Sequence, residues 1–309
     1  MPKELKGIIG FPLTPTMDDG EKIDQGKLRD YVDFSVDAGL HGLCIVGSTG
    51  GKGSFSEDER KTVVEAASKQ NNGRVALMVG VSALTTAEVI RLSKHAEDNG
   101  ADAVLLVSMS YWPLMENEVY EQYARVAEAI NIDICVYNNP WTSQFDIKPH
   151  LVAKLAQIDN IKYIKESSGD LTRFSANRLA TKGKIKILDG WEPTTYQSLI
   201  SGAEGYCSSL ANYNPHEALL LWDLAYEKKD MVKSRQLADR LFPLLDFIGT
   251  KTHARVGYAA MELVGRPMGV PRRPMRPLNK EDYGELKRIL DQLGWLEQGY
   301  TKTALKMRA

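Results

Sequence analysis

The feature of this 309-residue sequence that most constrains its fold is a regular alternation of short apolar runs with longer amphipathic stretches. Eight runs rich in Val, Ile and Leu lie at residues 7–13, 41–47, 74–81, 101–108, 133–138, 161–167, 185–190 and 204–209. Stretches with helical periodicity follow them at residues 24–39, 56–69, 85–100, 116–130, 147–157, 171–182, 194–201 and 215–228. Nearly continuous apolar strands of this kind are typical of a parallel sheet that is buried on both faces.

Eight strand–helix units favour a closed barrel over an open, doubly wound sheet. We therefore predict an α/β fold, a (β/α)8 TIM barrel whose catalytic domain covers residues 1–230. Three more helices are predicted at residues 231–248, 253–264 and 280–296. They form a C-terminal helical region, residues 231–309, that extends the barrel.

Charge and composition exclude several classes of partner. The formal net charge is -1, and charged residues of both signs are mixed along the chain, so we expect neither a nucleic acid nor a membrane partner. No signal peptide is visible, and no run approaches the roughly 18 apolar residues of a membrane span, so we predict a cytoplasmic protein. Cys44, Cys135 and Cys207 lie far apart in apolar runs and are expected to be free thiols.

Metal chemistry is not expected from this sequence. The five histidines show neither an HxH nor an HExxH spacing, and the cysteines form no CxxC pair. We therefore predict no metal and no cofactor, which disfavours a metal-dependent class II aldolase.

In a barrel of this kind the active site lies at the carboxyl-terminal ends of the strands, and Lys165 stands at the end of the sixth. A buried, unpaired lysine is expected to have a lowered pKa. The neutral amine that results can attack a carbonyl group. The alternative is a lysine ion-paired with a carboxylate at the rim of the barrel, and periodicity alone leaves both interpretations open.

Polar residues also stand at the carboxyl-terminal ends of other strands. The glycine-rich segment 47–51 could present backbone N–H groups to an anion, with the hydroxyls of Ser48 and Thr49 beside them, or it could be an ordinary turn. Tyr137 ends the fifth strand and Tyr111 lies just beyond the fourth. Phenols in such places can relay protons when they are hydrogen-bonded to a hydroxyl, or they can simply pack.

Three motifs stand at these strand ends: Gly-Ser-Thr-Gly at 47–50, Tyr-Asn-Asn-Pro at 137–140 and Lys-Glu-Ser-Ser-Gly-Asp at 165–170. With them, the chain resembles the dihydrodipicolinate synthase / N-acetylneuraminate lyase superfamily of class I, pyruvate-dependent aldolases. The resemblance extends over nearly the whole chain, from residues 10–15 to residues 273–278.

The resemblance implies a role for each matching residue. Lys165 would form an imine with a keto acid, and Tyr137 would move protons to and from it. Ser48 would link Tyr137 to Tyr111, which would reach into the site of a neighbouring subunit, as expected of a homotetramer built as a dimer of dimers. The implied substrate-binding residues are Ser48, Thr49, Gly50, Thr142, Ser167, Gly190, Glu192, Cys207 and Ser208.

Two residues depart from the pattern of the superfamily. Gly51 stands where the glycine-rich loop usually continues with glutamate, and Thr142 stands where the true synthases have an arginine for the carboxylate of the second substrate. A threonine cannot replace a bidentate carboxylate anchor at equal strength. Ser167, Glu192 and Ser208 look closer to the branches of the superfamily that act on sugar acids.

We therefore expect a Schiff-base-forming lyase that acts on pyruvate or another small 2-keto acid. The reaction would be aldol cleavage or condensation, or dehydration of a 2-keto-3-deoxy sugar acid or a similar compound. The alternative within the same chemistry is 4-hydroxy-tetrahydrodipicolinate (dihydrodipicolinate) synthase. The alternative of another class is a non-catalytic paralogue that binds a keto acid. Trp141 and Trp191 are expected to narrow the pocket.

Overall fold

The eight apolar runs form a closed barrel of parallel strands in the computed structural model, which describes residues 2–296. The strands are β1 (Gly7–Gly10), β2 (Gly42–Ile45), β3 (Ala76–Gly80), β4 (Ala103–Leu106), β5 (Asp133–Asn138), β6 (Ile161–Glu166), β7 (Lys186–Asp189) and β8 (Gly205–Ser208). Each strand pairs with its neighbours in the chain, and β1 pairs with both β2 and β8 to close the ring. The predicted (β/α)8 fold is confirmed.

Alternation along each strand divides the core into two layers. Side chains that point into the barrel form one cluster, which includes Cys44, Met78, Leu105 and Tyr163. Side chains that point outward pack against the surrounding helices in a second, larger cluster. Successive residues of a strand face opposite sides, so both clusters follow from strands that are apolar on both faces.

The helices follow the strands in the predicted order and pack around the barrel. They are α1 (Gln25–Asp37), α2 (Glu57–Asn71), α3 (Thr86–Asp98), α4 (Glu116–Ala129), α5 (Pro140–Ser143), α6 (Pro149–Leu155), α7 (Thr172–Thr181), α8 (Thr195–Ile200), α9 (Leu210–Tyr213) and α10 (Pro215–Trp222). A π-helical segment, Asp223–Glu227, continues α10. Local sequence explains several of the helix starts: Ser56, for example, makes a reciprocal capping box with Glu59 at the start of α2.

Some predicted boundaries are wrong. The first strand ends at Gly10 instead of residue 13, because Pro12 and Pro15 have no N–H group for a strand ladder. The chain then forms a small antiparallel hairpin, Thr16–Met17 with Lys22–Ile23, that the sequence pattern did not predict. The short helices α5 and α9 were also not predicted, because each is only one turn long.

The helices after residue 230 are α11 (Met231–Lys251), α12 (His253–Leu263) and α13 (Lys280–Gln292), close to the predicted bounds. Their buried side chains belong to the same cluster as the outer face of the barrel. The division of the chain at residue 230 stays a prediction, and residues 297–309 of the predicted C-terminal region lie outside the described residues. Within the described part, no helix has the length and apolar character needed to cross a membrane.

If the C-terminal helices share one core with the barrel, truncating a buried side chain of α11 should destabilise the whole chain. We expect Leu241→Ala, at a fully buried position, to lower the free energy of unfolding by about 2–5 kcal/mol. Urea unfolding followed by circular dichroism should still show a single transition. Phe242→Leu, at the neighbouring and half-exposed position, is the control and should change stability by less than about 0.5 kcal/mol. Two separate transitions would contradict the shared core.

Candidate active site

The geometry of the site begins with the pairing of β5 and β6. In this parallel pair Tyr137 and Lys165 are direct register partners. Alternation along β6 puts Tyr163 in the inner cluster and Ile164 in the outer one, so Lys165 again faces the inside of the barrel. Both side chains therefore lie next to each other at the carboxyl-terminal mouth of the barrel.

Lys165 is 5% exposed, and its amino group lies between aromatic rings. Nζ is 3.9 Å from the centroid of the Tyr137 ring and 4.6 Å from that of Phe11. Ring faces attract an ammonium group, and more strongly where water is excluded. No carboxylate of residues 2–296 lies within ion-pair distance of Lys165. The alternative of a rim ion pair therefore does not describe this side chain.

The expected direction of the Lys165 pKa shift is wrong. Burial lowers the pKa, but the Tyr137 hydroxyl and the sulfurs of Cys207 and Cys44 raise it, and the net shift is upward. The two aromatic faces favour the charged form in the same way. The sequence argument considered burial alone and missed the partners that the barrel interior supplies. In the free protein Lys165 is an ammonium group that must lose a proton before it can attack a carbonyl.

Tyr137 is buried, and its oxygen has a defined partner. Asn139 Nδ2 donates a hydrogen bond of 2.9 Å to Tyr137 Oη. The oxygen accepts this bond, so the phenolic hydrogen stays available for another acceptor. Tyr137 can therefore give up a proton beside the Lys165 amino group.

A buried polar network supports the loop that follows Tyr137. Asn138 Nδ2 donates to Glu166 Oε1 at 2.9 Å and to Asp146 Oδ1 at 3.2 Å, and Asn138 Oδ1 accepts from the N–H of Ile147 at 3.0 Å. Arg173 Nη2 bonds Asp146 Oδ2 at 2.6 Å. These bonds hold the segment after β5 against the end of β6 and so limit the positions of the Tyr137 and Lys165 backbones.

The loop after β2 has an unusual backbone. Val46 has a φ of 57°, which is in the left-handed region that a β-branched residue rarely adopts, and Gly51 has a φ of 73°. Strain of this kind costs of the order of 1–3 kcal/mol and is often found at functional sites. No hydrogen bond within residues 2–296 uses the N–H groups of Ser48 or Thr49. These amides can therefore donate to an anion such as a carboxylate.

One cavity of about 600 Å³ at the mouth of the barrel brings most of the predicted site residues together. The predicted residues that line it are Ser48, Thr49, Tyr137, Thr142, Lys165, Ser167, Gly190, Glu192 and Cys207. Gly190 has to be a glycine, since a Cβ there would lie 2.8 Å from Lys165 Cε and 2.1 Å from Ser167 Oγ. A keto acid that entered this cavity would meet the lysine, the tyrosine and the free amides at once.

Three predicted site residues do not line the cavity. The Gly50 carbonyl accepts a hydrogen bond from Thr14 Oγ1, and the buried Ser208 Oγ accepts one from the N–H of Ala211. Tyr111 is 81% exposed, with its ring against Trp112. Among the described residues, Ser48 has no hydrogen bond to Tyr137 or to Tyr111. A single chain thus does not assemble the implied proton relay.

Sequence reasoning missed one wall of the cavity, the junction of α11 and α12. Thr252 has a φ of 78° and separates the two helices, and His253 faces the cavity behind it. Burial and the nearby Lys165 lower the pKa of His253 to about 4, so the ring is neutral at pH 7. The sharp break between the two predicted helices was the signal that could have pointed to this wall.

The acidic groups near the site are deeply buried. Glu192 Oε1 accepts hydrogen bonds from Tyr206 Oη at 2.7 Å and from the N–H groups of Ser209 and Leu210 at 2.6 and 3.1 Å. Burial raises the pKa of Glu192 and raises that of Asp189 to about 7. These carboxyl groups therefore serve mainly to hold the ends of β7 and β8. Residues 2–296 contain no group of three or more His, Cys, Asp or Glu placed to hold a metal ion.

A (β/α)8 barrel with a buried lysine and a tyrosine at its carboxyl-terminal mouth is typical of the class I lyases and aldolases, which work through a lysine imine. More particularly, the chain belongs to the dihydrodipicolinate synthetase family, whose model matches residues 4–293. It is accordingly a class I, pyruvate-dependent lyase of that family.

Relatives with an assigned name match this chain over almost its whole length. The 4-hydroxy-tetrahydrodipicolinate synthase of Syntrophus aciditrophicus (strain SB) is 33% identical over 290 residues, which are 94% of this chain and 98% of that protein. The protein of the same name from Methanopyrus kandleri is 32% identical and covers 96% of this chain and 99% of its own. The dihydrodipicolinate synthase of Acinetobacter baumannii, whose structure was solved with pyruvate, has a TM-score of 0.89 at 29% identity. The match covers 94% of this chain and 100% of that chain.

The raised pKa of Lys165 predicts that imine formation speeds up with pH. Only the neutral amine attacks a carbonyl, and its fraction grows about tenfold per pH unit below the pKa. We expect the initial rate of borohydride-trapped pyruvate adduct, followed by intact mass, to rise steadily between pH 7 and pH 9. Circular dichroism over the same range checks that the fold is intact. A rate that is level across this range would contradict the raised pKa.

Proposed function

We propose that this enzyme makes or breaks the bond between C3 and C4 of a small 2-keto acid, through an imine on Lys165. The observation that carries the proposal is the buried Lys165 amino group, which has no carboxylate partner in the described residues and lies beside Tyr137 in a cavity open to small molecules. The free amides of Ser48 and Thr49 are placed to bind the carboxylate of the same substrate.

Cleavage of a 4-hydroxy-2-keto acid illustrates the steps. The neutral Lys165 amine adds to the keto carbon, and the Tyr137 phenol donates its proton to the hydroxyl of the adduct, which leaves as water. The products are a protonated imine, which can accept an electron pair, and the Tyr137 phenolate. Tyr137, as phenolate, takes the proton of the substrate hydroxyl while the C3–C4 bond breaks, so that an aldehyde leaves and an enamine remains. Tyr137 then returns the proton to C3 and is a phenolate again. Water adds to the protonated imine and its surplus proton goes to this phenolate, which releases pyruvate, the neutral amine and the Tyr137 phenol. Condensation is the same sequence reversed.

Two features of the cavity bear on the second substrate. The relatives' names favour 4-hydroxy-tetrahydrodipicolinate synthase, whose second substrate carries a carboxylate. Among the described residues lining the cavity, however, Lys165 is the one cationic side chain, and Thr142 stands at the position where the superfamily resemblance places an arginine. We therefore infer that synthase activity is weak and that an aldolase or related lyase reaction is the main one.

The features that suggested a sugar-acid substrate are also weaker than expected. Ser208 is turned away from the cavity, and Glu192 Oε1 is already occupied by three donors. Glu192 Oε2, however, has no hydrogen-bond partner among the described residues, so this side chain can still accept a bond from a substrate hydroxyl. The support for a sugar-acid substrate is therefore reduced by the loss of Ser208 and not by Glu192.

The test is trapping with pyruvate and borohydride, followed by peptide mass spectrometry. We expect a reduced adduct on Lys165 and no adduct in Lys165→Arg, because a guanidinium does not form the imine. Lys162→Arg, an exposed lysine of the same strand, is the matched control and should behave as the parent does. An intact fold without any adduct at millimolar pyruvate would rule the proposal out.

A turnover assay then distinguishes the alternatives. The parent enzyme is given pyruvate with aspartate semialdehyde or with uncharged aldehydes, and the loss of pyruvate is measured. Turnover with aspartate semialdehyde at least as fast as with every other aldehyde would assign the synthase reaction instead. An adduct without product from any aldehyde would assign a keto-acid-binding protein.

The exposed side chains beyond β4 support an oligomer. Tyr111 is 81% and Trp112 is 73% exposed, and Leu84 and Met115 are exposed on neighbouring loops. We propose that these loops meet a second copy of the chain, in a homotetramer built as a dimer of dimers, and that Tyr111 completes the partner's proton relay. A cytoplasmic location stays a prediction, supported by the three buried free thiols.

Light scattering measures the mass of the assembly directly. We expect about four times the 34.4 kDa chain mass for the parent, and a smaller species for Trp112→Asp, because a buried unpaired carboxylate opposes an apolar contact. The dissociated variant should also lose activity, since Tyr111 would no longer reach a partner. A monomeric parent with full activity would contradict both the oligomer and the shared tyrosine.

A further inference from the structure

The outer part of the cavity has a wall of aromatic rings. Trp141, which is 71% exposed, and Trp191 lie with ring centroids 6.4 Å apart and planes at 27°, and the His253 ring is 6.3 Å beyond Trp191. All three residues line the cavity that contains Lys165. Exposure of a single ring is common on protein surfaces and does not by itself indicate binding. What points to the cavity is that Trp141 lines it and that its ring faces the ring of Trp191, which lines it too.

The Trp191 ring is half-buried in this wall, with a glycine near each side of it. A Cβ on Gly169 would lie 3.5 Å from Trp191 Cδ1, and a Cβ on Gly249 would lie 3.6 Å from Cζ2. These are ordinary van der Waals distances, so Gly169, after β6, and Gly249, in α11, leave space beside the indole. A half-buried ring has fewer accessible rotamers than a fully exposed one and therefore loses less entropy on binding.

The charged side chains that line the cavity are buried and do not belong to the aromatic wall. Lys165 is the one basic and Glu192 the one acidic residue among the described residues that line it, and both are buried. The wall itself is uncharged, since the pKa of His253 is about 4. A second carboxylate or phosphate on the substrate would find no cationic partner beside the tryptophans.

The size of the cavity leaves space beyond pyruvate. A volume of about 600 Å³ is within the range of pockets that enclose drug-sized ligands, and a three-carbon acid bound at Lys165 would fill only part of it. Trp141 and Trp191 line the same cavity, so a larger substrate attached at Lys165 has their rings among the surfaces available to it.

We propose that the aldehyde that this enzyme adds to pyruvate, or releases from the aldol product, is an uncharged aromatic aldehyde whose ring packs against Trp141 and Trp191. The inference rests on the proposed imine chemistry and names the substrate class for the same site. Packing between aromatic rings contributes about 0.5–1.5 kcal/mol beyond burial alone, which is roughly 2-fold to 13-fold in kcat/KM. The neutral wall selects against charged aldehydes, because they would lose hydration there without gaining a partner.

The test compares retro-aldol cleavage of two compounds, the benzaldehyde adduct and the glyceraldehyde adduct of pyruvate. Their kcat/KM values are measured from the release of pyruvate. We expect the benzaldehyde adduct to be preferred by about tenfold or more in the parent enzyme. Trp141→Leu should reduce that preference by about threefold to tenfold, and Trp141→Phe should retain most of it. Because Trp141 is exposed, neither change threatens the fold.

Trp191→Leu should reduce the preference in the same direction, and Phe242→Leu, which removes an exposed ring outside the cavity, should leave it unchanged. A parent enzyme that forms the pyruvate adduct yet cleaves the glyceraldehyde adduct at least as well would overturn the aromatic inference and leave the imine proposal standing. The same ratio of the two kcat/KM values in the parent enzyme and in both tryptophan variants would also overturn the aromatic inference. A parent without any pyruvate adduct would instead overturn the proposed function.

Discussion

The site depends on the register between two adjacent strands. Tyr137 and Lys165 are paired across β5 and β6, and alternation turns both toward the inside of the barrel. A slip of one residue would move Lys165 to the outer face and put Ile164 inside, so the hydrophobic pattern that sets the register also sets the chemistry. The loops, the cavity and the aromatic wall are all arranged around this one pair.

An ammonium group inside a barrel is costly unless something stabilises it. Here the partners are two ring faces and a phenol, not a carboxylate. A carboxylate would have held Lys165 in a permanent ion pair and kept its electron pair unavailable. The aromatic partners stabilise the charge while they leave the amine free to exchange its proton, which is the compromise that imine chemistry needs.

Much of this protein could be predicted from its sequence. The barrel, the order of its elements and the position of Lys165 follow from local periodicity, and local patterns are visible along one chain. The direction of the Lys165 pKa shift could not be predicted, because burial opposes the effects of the Tyr137 hydroxyl and of the Cys207 and Cys44 sulfurs, and these groups come from three other strands. The wall at His253 was missed for a similar reason, since residues far apart in the chain meet only in the folded state. Tyr111 is expected to act in the site of a second chain, and the pattern of a single sequence does not show how two chains meet.

The left-handed backbone at Gly51 has a consequence for which side chains this loop can carry. Any other residue there would have to adopt a φ of 73°, and its Cβ would lie 3.1 Å from the Phe55 ring. A left-handed conformation costs an L-residue about 1–2 kcal/mol, a cost that Val46 already bears in this loop, and a glutamate at position 51 would also need the Phe55 ring to shift. The loop therefore accommodates glycine at position 51 at a lower cost than glutamate, so the two sequences favour different shapes of this loop.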